Sequence, residues 1–95
     1  MSSRDEYVRK MQAKLQEWNE EIDVLTAKAD KVTADLKSEY GEQIEQLKAR
    51  QAAARQKIEE LQQSGEGAWE DLKSGIELAK TAIGEALDSA HKRFK

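Results

Sequence analysis

Apolar residues recur at Val8, Met11, Leu15, Trp18, Ile22, Leu25, Ala29, Val32 and Leu36. The steps are three, four, three, four without a miss, the a/d rhythm of a helix that buries one seam against another helix. No glycine or proline interrupts it, and charged residues and Gln fill most of the positions between. After Leu36 the next apolar residues are Tyr40, Ile44 and Leu47, and the seam runs on through Gln51, Ala54, Ile58 and Leu61. Against strict heptads, one extra residue has entered between Leu36 and Ile44. Either the helix breaks near Ser38-Glu39-Tyr40-Gly41, or it continues while its stripe rotates. A lone glycine costs roughly 1 kcal/mol in a helix, and slackened supercoiling absorbs a phase change. Continuity is favoured, giving a first helix over about residues 4–62, roughly 90 Å long at ~1.5 Å per residue.

A stronger break falls at Gln63-Ser64-Gly65-Glu66-Gly67, where Gly65 is placed to cap the helix in the left-handed region. A second amphipathic stripe follows: Trp69, Leu72, Ile76, Ala79, Ile83, Leu87, Ala90 and Phe94. Glu70 and Asp71 open this helix, and His91, Lys92, Arg93 and Lys95 close it, both in the sense that complements the helix dipole.

So short a turn makes its neighbours antiparallel. Residues whose numbers sum to about 130 then meet, placing Ala90 by Tyr40 and Gly41, and Phe94 by Leu36. The expected hairpin, about residues 36–94 with its turn at 63–67, has a core of Leu36, Tyr40, Ile44, Leu47, Ala54, Ile58, Leu61, Trp69, Leu72, Ile76, Ile83, Leu87 and Phe94. Ala49, Ala52, Ala53 and Ala54 fall opposite Gly75, Ala79 and Ala82; close helix approach and plain helix propensity explain these alanines equally well.

The hairpin leaves an arm, about residues 4–35, with nothing in its own chain to cover its seam. Val8, Met11, Leu15, Trp18, Ile22, Leu25 and Val32 are therefore expected at an oligomer interface, most simply in an antiparallel homodimer. A dimer centred near residues 33–37 would be a rod with a three-helix bundle at each end; one centred near residue 20 would pair only the arms. Leu78, Ala82 and Ala86 widen the apolar face of the second helix and lean toward the former.

Composition sharpens this picture. Ala, Glu, Lys, Leu and Arg make up 50 of 95 residues, and Leu, Ile, Val and Phe only 17, a balance that suits long helices and not a large core. There is no cysteine, so neither a disulfide framework nor a thiolate metal cluster is available. The net charge of −3 is spread along the chain, with no basic face for nucleic acid. No apolar run approaches the ~18 residues a membrane span needs, and the opening Met1-Ser2-Ser3-Arg4 lacks a secretory core. These features imply a cytoplasmic protein.

Candidate chemistry is thin. His91 is the single histidine, with Asp88 three residues before it and no nucleophile suggested nearby, so a solvated helix-end residue is the better reading. Glu20-Glu21 and Glu59-Glu60 lack the Glu-x-x-His pattern of a bundle metal site. Gly65-Glu66-Gly67 follows no strand and precedes no Lys-Ser/Thr, so it is not a phosphate loop. The expectation is a non-enzymatic protein with no cofactor and no metal. One alternative places the helix 68–95 on a lipid surface through Trp69, Ile76, Ile83, Leu87 and Phe94, against the repulsion of Glu70, Asp71, Glu77, Glu85 and Asp88. Another gives the arm to an unrelated helical partner, with Trp18 and Trp69 as anchors.

Two stretches carry a family resemblance. One runs from Arg4-Asp5-Glu6-Tyr7 through Leu15-Gln16-Glu17-Trp18-Asn19-Glu20-Glu21-Ile22-Asp23. The other is Ala68-Trp69-Glu70-Asp71-Leu72-Lys73-Ser74-Gly75 with the closing Arg93-Phe94. In this order, over nearly the whole chain, they resemble a group of small bacterial coiled-coil proteins found in proteobacteria and cyanobacteria. Most of that group has no assigned function, and some members are associated with stress responses. The Glu-Trp-Asn and Ala-Trp-Glu-Asp-Leu-Lys pieces are its specific part. The resemblance implies a small, helical, cytosolic bacterial protein; it brings no site residues and says nothing of mechanism.

Overall fold

The computed structural model describes residues 3–65 and 67–94. Met1, Ser2, Glu66 of the expected turn and Lys95 of the expected basic helix end lie outside the described residues. Among the described residues the fold is all-α, with three helices: α1 (Ser3–Ala29), α2 (Ala34–Gln63) and α3 (Trp69–Arg93). They pack side by side into a body of 51 × 18 × 18 Å. α1 runs antiparallel to α2, and α2 antiparallel to α3. α1 packs more extensively on α2 than on α3.

The expected first helix over 4–62 is therefore corrected. It passes through Gly41 unbroken, as the good helix formers around that residue allow, but the chain turns earlier, at 30–33. Three backbone bonds close α1: Asp30 N–H to Thr26 O, Lys31 N–H to Lys28 O and Val32 N–H to Ala29 O. The last two span three residues and tighten the final turn. Thr33 then adopts extended backbone, and its carbonyl accepts from the N–H groups of both Leu36 and Lys37 to start α2. Its side chain caps nothing.

The phase change is the physical reason for a break here. Extended backward from Tyr40 and Ile44, α2's own rhythm falls on Thr33 and Lys37, whereas Val32 and Leu36 keep the rhythm of α1. Two separate helices can each aim a stripe at one core; a single helix must twist to do so. Because of the break, the arm is covered by its own chain. Val8, Met11, Leu15, Trp18, Ile22, Leu25 and Ala29 are all buried, together with the stripes of α2 and α3. Burying one large apolar side chain contributes roughly 1.5–3 kcal/mol.

The second connection lies where the glycines suggest, with a different cap. Ser64 ends α2 in extended conformation, its N–H and Oγ both donating to Leu61 O. No described residue has a positive φ, so Gly65 is not a left-handed cap. The turn carries the chain through Ala68, whose N–H donates to Gly65 O.

This moves the α2–α3 register by one helical turn. Tyr40, not Leu36, faces Phe94: the rings stack with centroids 3.8 Å apart at 12°. The two numbers sum to 134, against the expected 130 or so. Leu36, expected in the hairpin core, is 40% exposed. Trp69 and Leu72 are half-buried at the edge of the core. Of the alanine cluster only Ala54 is buried; Ala49, Ala52, Ala53 and Ala82 face solvent. A Cβ on Gly75 would meet nothing within 4 Å. Helix propensity, not close approach, accounts for these alanines.

Candidate functional site

The feature that most constrains how this chain can act is the groove between α2 and α3 that α1 fills. Its middle is set by Trp18, 2% exposed, and by Gln51, the single buried polar side chain among the described residues, 6% exposed. Gln51 takes a core position on α2 and donates from Nε2 to the Leu15 carbonyl at 3.1 Å. A buried amide left without a partner costs about 1–3 kcal/mol. The bond to Leu15 O satisfies this amide and ties α1 to α2 in the middle of the groove.

One end of the groove is closed by the Tyr40–Phe94 stack. The Tyr40 hydroxyl donates to Arg93 O at 2.8 Å, and Arg93 Nη1 lies 3.5 Å from Glu39 Oε1. Both ion-pair partners are exposed, so the hydrogen bond and the stack hold this end more than the charges do.

At the other end the Arg4 guanidinium donates to the Ser64 carbonyl, tying the start of α1 to the α2–α3 turn. Lys73 Nζ sits 5.4 Å from the centroids of both the Tyr7 and Trp69 rings, a cation shared between two aromatic faces. The Tyr7 hydroxyl is shut off from solvent and makes no hydrogen bond of ordinary geometry, although Glu77 is near enough to act on it. Burial first, and then the Glu77 carboxylate, push the Tyr7 phenol up to about 12.

A cleft of about 400 Å³ opens here between α1 and α3, lined by Tyr7, Lys10, Lys14, Lys73, Glu77 and Lys80 among others. Four lysines around one acid suggest an anion, yet most of that charge is spoken for. Lys14 pairs with Glu17 at 3.5 Å, Lys80 with Glu77 at 3.7 Å, and Lys73 lies over its rings. An anion would have to displace these contacts. His91 is half-buried and shares another cleft with Trp18, Glu21 and Asp88. Among the described residues no three His, Cys, Asp or Glu side chains are grouped to hold a metal ion.

The seam residues expected at an oligomer interface thus lie inside the chain's own core, except Val32, which is half-buried in the first connection. Of the expected hairpin core, Tyr40, Ile44, Leu47, Ala54, Ile58, Leu61, Ile76, Ile83, Leu87 and Phe94 are buried, and Leu36 is not. The lipid-facing stripe suggested for α3 consists largely of these buried residues. Leu78, 74% exposed, lies off that stripe. No described helix is long and apolar enough to cross a membrane. Sequence reasoning missed the Tyr7–Lys73–Glu77 cluster, for which the one hint was an aromatic ring beside the Val8 seam position. Compared with models of known protein families, with curated proteins and with solved structures, the chain shows no match.

Proposed function

We propose that this chain is a helix-pairing module: a self-associating structural scaffold or spacer that acts by burying helix seams and carries out no chemistry of its own. The observation that supports this reading is the α1 seam. Seven of its members are buried in helix–helix packing, while its continuation, Val32 and Leu36, is left partly uncovered at the first connection. A seam longer than its own fold can cover favours a further helix. The likeness of Leu15–Asp23 and Ala68–Gly75 to small bacterial coiled-coil proteins, some stress-associated, supports the same class.

Solution mass by light scattering after size exclusion, from micromolar to near-millimolar protein, tests the reading. The expected result is a dimer whose share grows with concentration. A monomer throughout would overturn self-association. Binding to vesicles of anionic lipid, weakened by salt, would instead favour a lipid surface, for which α3 must first leave the bundle.

A further inference from the structure

We infer that α1 is exchangeable: the connection at 30–33 opens into helix, and two copies trade their α1 arms to form an antiparallel rod. This rests on the self-association reading above and specifies its partner and geometry. The connection contains no glycine or proline, and Thr33 starts α2 without a side-chain cap. Nothing in its chemistry forbids helix. Closing it instead leaves an apolar remainder, with Val32 half-buried and Leu36 40% exposed. Both residues belong to the three-four rhythm of α1, and both return to that seam only if the helix runs through.

The register gives the geometry of the rod. Gln51 reaches Leu15 O and Arg4 reaches Ser64 O, so opposed residues of α1 and α2 sum to 66–68. Two continuous helices paired in that register have their two-fold axis at residues 33–34. Val32 and Leu36 then lie within a turn of the axis, where the two copies' seams meet. Every contact that α1 makes in the closed chain re-forms between chains, including Gln51 to Leu15 O and Arg4 to Ser64 O. Exchange therefore keeps the α1 packing and adds burial for Val32 and Leu36, at the cost of twisting the helix where the two stripes change phase. The closed form keeps the advantage of being unimolecular, so concentration decides between the two. The extra residue between Leu36 and Ile44 is absorbed as locally slackened supercoil. A continuous helix over residues 3–63 is about 90 Å long at ~1.5 Å per residue, against 51 Å for the closed body.

Ala34→Pro separates exchange from ordinary association. Position 34 opens α2, where the proline ring fits and its missing N–H is needed by no partner. Thr33 before it is already extended, as a residue preceding proline prefers. In a helix continuous through 30–33 the same proline removes the bond to Asp30 O and clashes with that turn. The test refolds each protein from denaturant at near-millimolar concentration, then measures mass and maximum dimension by light and X-ray scattering. The wild type is expected to give a dimer of about 90 Å or more, and Ala34→Pro a monomer near 51 Å with an unreduced melting temperature. Leu36→Ser should weaken the dimer at least tenfold and leave the melting of the monomer unchanged. Leu78→Ser, which changes the most exposed large apolar side chain, should leave the dimer as it was. If Ala34→Pro or Leu36→Ser dimerised as strongly as the wild type, exchange at 30–33 is wrong, though self-association stands. If Leu78→Ser alone abolished the dimer, association is by surface docking. A wild type that stays monomeric after refolding at high concentration overturns self-association itself.

Discussion

Between Gln63 and Trp69 the chain turns through a serine and two glycines; between Ala29 and Ala34 it turns through Asp30, Lys31, Val32 and Thr33, none of them a strong helix breaker. The first of these stops is chemical. Glycine resists helix, and Ser64 offers its own N–H and hydroxyl to the last free carbonyl. The second stop is imposed by packing. Two stripes one residue out of phase cannot both face a single core from one straight helix, but two helices can rotate independently. A chemical stop holds whatever surrounds it. A packing stop lasts only as long as the packing that requires it, and for this reason exchange is placed at 30–33 and not at 64–68.

Removing packing from α1 should therefore separate the two connections most sharply. Trp18→Ala deletes a fully buried indole, a change that typically costs about 3–5 kcal/mol. That is a large share of the roughly 5–15 kcal/mol available to a small domain. Urea titration followed by far-UV circular dichroism should show a midpoint lowered accordingly. Amide exchange should show protection lost over α1 and the 30–33 connection before residues 64–68. A loss below about 1 kcal/mol would mean that α1 is not held by its seam, and that the turn at 30–33 has some other cause.

Legibility in the sequence follows the same division. Wherever a residue's own chemistry decides, the pattern is readable: the stripes Val8–Ala29 and Tyr40–Leu61 are buried as their spacing indicates, as are Ile76, Ile83, Leu87, Ala90 and Phe94 of the third, whose Trp69, Leu72 and Ala79 are half-buried, and the glycine turn lies in place. Wherever the outcome depends on a third element, it was not. The arm looked uncovered because its covering surface is assembled from α2 and α3 together. Leu36 looked like core because its spacing from Tyr40 suits a helix, yet it belongs to the other stripe. The one-turn shift that pairs Tyr40 with Phe94 depends on α2 continuing through Gln63 and on the turn starting at Ser64. The cluster of Tyr7, Lys73 and Glu77 joins residues about 70 positions apart, and no local pattern announces it.

The glycine turn itself can be probed for how chemical its stop is. Gly65 and Gly67 have no positive φ, and a Cβ on either meets nothing within 4 Å. Alanine at Gly65 or Gly67 should accordingly change stability by no more than about 0.5–1 kcal/mol, with the sign favouring the variant through a stiffer unfolded chain. Thermal melts of the single variants check this. A cost well above 1 kcal/mol at either position would show that the turn needs the backbone freedom of glycine, making its stop stricter than the capping by Ser64 implies.

The smallest effect concerns the end of the bundle where α1 meets that turn. Tyr7 is held neutral by burial and by Glu77, with its phenol raised from 10 to about 12. A folded pKa above the unfolded one means that the neutral phenol is favoured in the fold. This contribution is fully present below pH 10 and is lost as pH rises from 10 through about 12, because unfolding then releases a proton. Tyr7→Phe removes that proton and leaves the ring under Lys73. Near pH 7 the variant should differ from the wild type by less than about 1 kcal/mol. Melting temperatures between pH 8 and 12 should fall less steeply for Tyr7→Phe above pH 10, with parallel curves below it. Parallel curves across the whole range would mean that the phenol ionises as freely in the fold as out of it. The α1 end would then be open to solvent, held to the glycine turn by Arg4 and Ser64 and not by a closed aromatic cluster.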